Sequence, residues 1–87
     1  MNAEELATKY IVAMEKTIQK MQQTKGFIAV SEECIEEIKD YVLAYLQDAK
    51  YFKEQKKFET SLTSIAYSEG LLDALKLIGA VYFESEP

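Results

Sequence analysis

Histidine, arginine and tryptophan are missing from the 87 residues, and all ten basic residues are lysine. Without histidine the chain lacks the usual general acid or base near neutral pH and the commonest transition-metal ligand. Without arginine it lacks the forked donor that reads phosphates and guanine edges in pairs. Positive charge is also outweighed, since the formal net charge is −5. Nucleic-acid binding needs a basic footprint, so no nucleic-acid partner is expected. The single cysteine, Cys34, excludes an internal disulfide framework and fits a reducing compartment. One proline and three glycines are too few for a linker-rich or disordered chain. No apolar run approaches the roughly 20 residues of a membrane span, so no membrane partner is expected. The first ten residues, MNAEELATKY, are too polar for a signal peptide. A cytoplasmic location is the expectation that follows.

What is present is helical patterning in a single domain, residues 1–87, with a tail at 84–87 that should fray. The first helix is expected over about 3–24. Leu6, Tyr10, Ala13, Met14, Thr17, Ile18 and Met21 recur at three- and four-residue steps and share one face. Glu4 and Glu5 open it and lysines close it, which suits the helix dipole, and Gly26 supplies a stop signal. Phe27 to Val30 is a short apolar connector. The second helix, about 31–55, begins on Ser31 as N-cap with Glu32 and Glu33 in its first turn. Its inward stripe is Ile35, Ile38, Val42, Tyr45, Leu46, Ala49 and Phe52. A break within Glu54–Lys57 is expected although it holds no glycine or proline. The alternative is one helix of more than about 45 residues, far beyond common lengths. The third helix, about 58–78, becomes apolar nearly all round after Ile65 and should end at Gly79.

The expected architecture is an all-α, antiparallel three-helix bundle with helices two and three as a tight hairpin. Ala49, Phe52, Ser61, Ile65 and Ser68 follow the small–aromatic–small–large–small spacing of a tetratricopeptide hairpin. One copy is not a solenoid, which needs about three. Gly70 inside the third helix costs about 0.5–1 kcal/mol relative to alanine. With Ala66 and Ala74 one turn to either side, it predicts a tight helix crossing within the chain or between chains.

The second half also carries a paired motif. Tyr45-x-x-Asp48-Ala49-x-Tyr51-Phe52 is followed, after a charged turn, by Tyr67-x-x-Gly70-x-Leu72-Asp73-Ala74. This pattern resembles a family of small archaeal proteins known as domain of unknown function 357. The likeness is strong over Tyr41 to Gly79 and general over the first helix. Ser68-Glu69 departs from the expected small-then-variable pair. The resemblance implies an archaeal, cytoplasmic helical protein with no assigned activity. It nominates Asp48, Tyr51, Tyr67, Gly70 and Asp73 as the characteristic positions.

Other acidic groups were weighed against known chemistry. Glu32-Glu33-Cys34-Ile35-Glu36 has the EExxE spacing of helical Mg²⁺-dependent pyrophosphohydrolases. That chemistry needs a partner ExxD on a facing helix. Glu69 and Asp73 are one residue too far apart, and Glu37-x-x-Asp40 lies on the same helix. Cys34 sits in a helical first turn, which favours a thiolate, but among glutamates, which oppose it. No catalytic residue, metal ligand or cofactor is therefore expected, and the chain reads as not an enzyme. Two functions remain. One is a protein-interaction or oligomerisation module, a homodimer or partner-helix binder using Leu71, Leu75, Ile78, Val81 and Phe83. The other is a small-ligand or Mg²⁺-binding domain in which Asp48, Tyr51, Tyr67 and Asp73 converge on one cleft.

Overall fold

A computed structural model describes residues 1–86; Pro87, the last residue of the expected frayed tail, lies outside them. Three helices and no strand occur among the described residues: α1 (Ala3–Lys20), α2 (Glu32–Glu54) and α3 (Phe58–Leu77). The starts of α1 and α2 have local causes. The Asn2 side chain accepts the Glu5 N–H at 2.8 Å, and the Ser31 hydroxyl accepts the Cys34 N–H at 3.1 Å. Acids fill the first turn of each helix and a lysine the last, matching the dipole.

The turn between α2 and α3 falls where the charged stretch predicts it. It closes without glycine because Lys56 adopts a left-handed φ of 60°. The Lys57 N–H then reaches the Phe52 carbonyl at 2.9 Å and the Lys56 N–H the Lys53 carbonyl at 3.0 Å. These two bonds cap the helix in a Schellman arrangement. Gly79 ends α3 in the same way, with the Ala80 N–H on the Leu75 carbonyl at 2.9 Å.

The hairpin is stitched by serines. Ser61 Oγ donates to the Ala49 carbonyl at 2.7 Å, and Ser68 Oγ donates to the Val42 carbonyl at 2.8 Å. These small residues let the two helices approach closely and satisfy their own hydroxyls in the seam. Ala49, Ser68 and Leu75 are buried there. The core is thin: Leu75, 1% exposed, is the only large side chain completely enclosed among the described residues.

α1 differs from the bundle expectation in two ways. It ends at Lys20, a turn earlier than Thr24, and Met21 is already extended. It also makes no contact with α2 or α3 and buries none of its residues. The polar Gln22, Gln23 and Thr24 find no packing partner to hold another helical turn. Its apolar face, including Tyr10, Met14 and Ile18, stays open, and the connector's Phe27 is 97% exposed. No helix of the described residues is long and apolar enough to cross a membrane.

Candidate functional site: an open aromatic face on the hairpin

An antiparallel hairpin has two flanks, and here they differ in chemistry. On one flank α2 presents positions 36, 39, 43, 46, 50 and 53, and α3 presents 58, 62, 65, 69, 72 and 76. Six of those twelve are charged. The C-terminal tail folds back on this side. Val81 and Phe83 are half-buried, Phe83 borders a depression with Leu72 and Asp73, and the Lys76 ammonium sits 4.4 Å from the Phe83 ring centre.

On the other flank α2 presents positions 34, 37, 41, 45, 48 and 52, and α3 presents 60, 64, 67, 71, 74 and 78. Only Glu37 and Asp48 are charged among these twelve. Nothing covers this flank. Tyr41, Tyr67 and Ile78 are 53%, 57% and 60% exposed. The Tyr45 and Tyr67 rings join across the helices with centroids 4.4 Å apart and planes tilted by 37°. Beside them, Tyr67, Gly70 and Leu71 line a shallow, wholly apolar recess.

The packing of these rings leaves an electrostatic mark. The Tyr45 hydroxyl ionises above the ordinary phenol value, first because it has lost hydration. The neighbouring Tyr67 hydroxyl adds to the shift, and the negative charge of Asp48 and the Tyr41 hydroxyl push the same way.

The sequence-nominated residues divide between these surfaces. Tyr67 lies on the open flank with Asp48 at its edge, and Gly70 borders that flank from the outer side of α3. Tyr51 is exposed and meets its own neighbour Phe52 edge-on at 5.4 Å. Asp73 lies on the opposite side with Glu69, Leu72 and Phe83. The seam fixes the register: Ser61 faces Ala49 and Ser68 faces Val42, which puts Asp73 level with Glu37. Asp48 and Asp73 are thus separated by about 16 Å along the axis, at 1.5 Å rise per residue. The four residues of the ligand reading do not share a cleft. Neither aspartate makes a hydrogen bond or ion pair among the described residues, where Lys39–Glu36 at 3.1 Å is the ion pair present. No group of three or more His, Cys, Asp or Glu able to hold a metal occurs there either.

Gly70 needs a correction. A Cβ placed on it would meet nothing within 4 Å, so no helix of the same chain crosses there. The small-residue strip of Ala66, Gly70 and Ala74 faces open space because α1 is elsewhere. The five nominated interface residues also separate. Leu75 is used up in the core, Val81 and Phe83 pack with the tail, and Leu71 and Ile78 remain on the open flank. Tyr41 and Tyr45, the neighbours of the nominated Tyr67, are not among the sequence-nominated site residues. Their signal was present in the one-turn steps from Tyr41 to Tyr45 to Asp48.

Comparison with known proteins gives one match. Residues 9–81 fit the sequence model of a family described as "Protein of unknown function (DUF357)". No curated protein and no solved structure matches the chain.

Proposed function

The chain belongs to the DUF357 family, whose description assigns no activity, and we propose that it acts as a non-enzymatic protein-interaction module whose docking surface is the Tyr45–Tyr67 flank of the α2–α3 hairpin. One observation carries this reading. A two-helix unit that encloses a single large side chain leaves a contiguous aromatic and small-residue face in water. Such faces on small soluble proteins mark places where another surface sits. Composition agrees, because the flank is rich in tyrosine and nearly free of charge, as the centres of protein interfaces are.

A neighbouring pair of substitutions tests it. Ala74 and Leu77 are both exposed on α3, but Ala74 lies on the open flank and Leu77 points away from both helices' contact. In an isolated chain, glutamate at either position costs little. If the flank is a docking surface, Ala74→Glu lowers the melting temperature and the solution mass, and Leu77→Glu leaves both unchanged. Equal behaviour of the two variants would overturn the reading.

A further inference from the structure

Resting on that docking-surface reading, we propose that the open flank is filled by α1 of a second copy of this chain, in a reciprocal exchange of N-terminal helices.

Three observations converge on this occupant. The first is surface area. The chain exposes 8002 Å². A compact protein of 10.0 kDa exposes about 5,200 Å². Each chain therefore carries an excess of about 2,800 Å², well above what a standard interface needs per partner and within the range of obligate dimers. The radius of gyration agrees: 16.0 Å against about 12 Å for a compact chain of this length. α1 and its connector project as an arm.

The second is complementarity of shape and charge. α1 is about 27 Å long and amphipathic, and the flank of α2 from position 34 to 52 has the same length. Lys9, Lys16 and Lys20 run along one edge of the α1 apolar stripe, while Glu4 and Glu15 lie on the other edge. The only charges on the open flank are Glu37 and Asp48. Lys9 and Lys20 are eleven residues apart, as are Glu37 and Asp48, so both pairs span about 16 Å. An α1 lying along α2 in the one direction that turns its lysine edge towards α2 sets both lysines against both acids, with its apolar stripe over Tyr45, Tyr67 and Leu71.

The third concerns what a fold-back within one chain leaves uncovered. Besides the Leu6–Tyr10–Met14–Ile18 row, α1 carries Ile11 on an adjoining row, and the connector carries Phe27, Ile28 and Val30. All four are exposed. A hairpin groove accepts the first row only. Two arms crossing at a two-fold axis lie beside each other and cover the second row and the connector. The connector is non-helical and bends at Gly26, where φ is 88°, which lets the chain change direction between α1 and α2.

The test uses the intact chain. Unlabelled and ¹⁵N-labelled chains are mixed after denaturation, refolded, and joined with a zero-length carbodiimide that links lysine to carboxylate. Light scattering of the unmodified sample gives the mass. The expected result is a species of twice the chain mass, with mixed-isotope peptides joining Lys9, Lys16 or Lys20 to Glu37 or Asp48. A dimer lacking those links overturns the exchange while leaving the docking surface. A monomer carrying the same links only within one isotope overturns both, because the flank is then covered by its own α1. A monomer without them overturns both, because Ala74→Glu and Leu77→Glu would then behave alike as well.

Discussion

α1 and the helices of the α2–α3 hairpin have similar lengths and the same dipole-matched ends, and α1 has a side-chain N-cap that α3 lacks, yet the hairpin packs and α1 does not. The difference lies in what each offers a neighbour. The hairpin brings two helices together through short side chains, and the hydroxyls of Ser61 and Ser68 bond to backbone carbonyls only 2.7 and 2.8 Å away. α1 has an apolar stripe as regular as theirs but meets neither of the other helices. Local propensity makes the helix, and only tertiary contact makes it durable, since an isolated helix of this length is marginal in water. The chain is thus one packed half and one half whose apolar stripe is uncovered.

The strongest way to break that comparison is Leu75→Ala. It removes the one enclosed large side chain and should cost about 2–5 kcal/mol in urea unfolding, at every protein concentration. Met14→Ala on α1 should behave differently: near neutral at low concentration and destabilising only where chains associate. Equal, concentration-independent losses for both would erase the distinction between the halves. Next in size is Ser68→Ala, which deletes the buried hydroxyl that donates to Val42 and should cost about 0.5–1.5 kcal/mol. Its effect belongs to the hairpin and should leave α1 helicity, followed by amide exchange, untouched.

A smaller gain is expected at the turn. Lys56 holds a left-handed φ of 60°, which costs a residue with a Cβ roughly 1–2 kcal/mol. Lys56→Gly relieves that strain but loses unfolded-state restriction. The net expectation is a stabilisation of about 0.5–1 kcal/mol, measured by thermal unfolding. A destabilisation would mean the lysine side chain contributes to the turn.

The smallest effect is a titration. Tyr45 has its folded pKa raised by lost hydration and by Tyr67, so the neutral phenol is favoured in the folded chain. A raised value means that its contribution to stability is fully present below the unfolded pKa of about 10 and is lost as pH rises through the folded pKa. Ultraviolet absorbance of tyrosinate should show one ring ionising later than the rest, and Tyr67→Phe should bring it back towards them. Six tyrosines titrating together would contradict the Tyr45–Tyr67 contact.

Much of the hairpin was legible in sequence. Ser31 and the acids after it mark the start of α2, and the lysine-rich break marks its end. The tetratricopeptide-like spacing picked out Ala49, Ser61 and Ser68, because only small residues permit so close a seam. The end of α1 was not legible, since Gln22, Gln23 and Thr24 are neutral about helix and the decision falls to packing. Gly70 was read as a crossing within or between chains, and its surroundings within the chain are empty. Asp48 and Asp73 share a motif but not a place, because motif spacing says nothing about hairpin register. The register came from two serine hydroxyls whose partners lie 12 and 26 residues away. The return of the tail, with Phe83 under Lys76, has no periodic signal at all.

The central claim is that α1 is completed by a second copy, so its order must depend on concentration. Amide hydrogen exchange of residues 6–18, measured from about 1 μM to about 1 mM, tests this most directly. The account predicts protection of α1 that rises with concentration in step with dimer mass, while protection around Leu75 is present throughout. Protection of α1 that is absent at all concentrations, or unchanged across them, would contradict it.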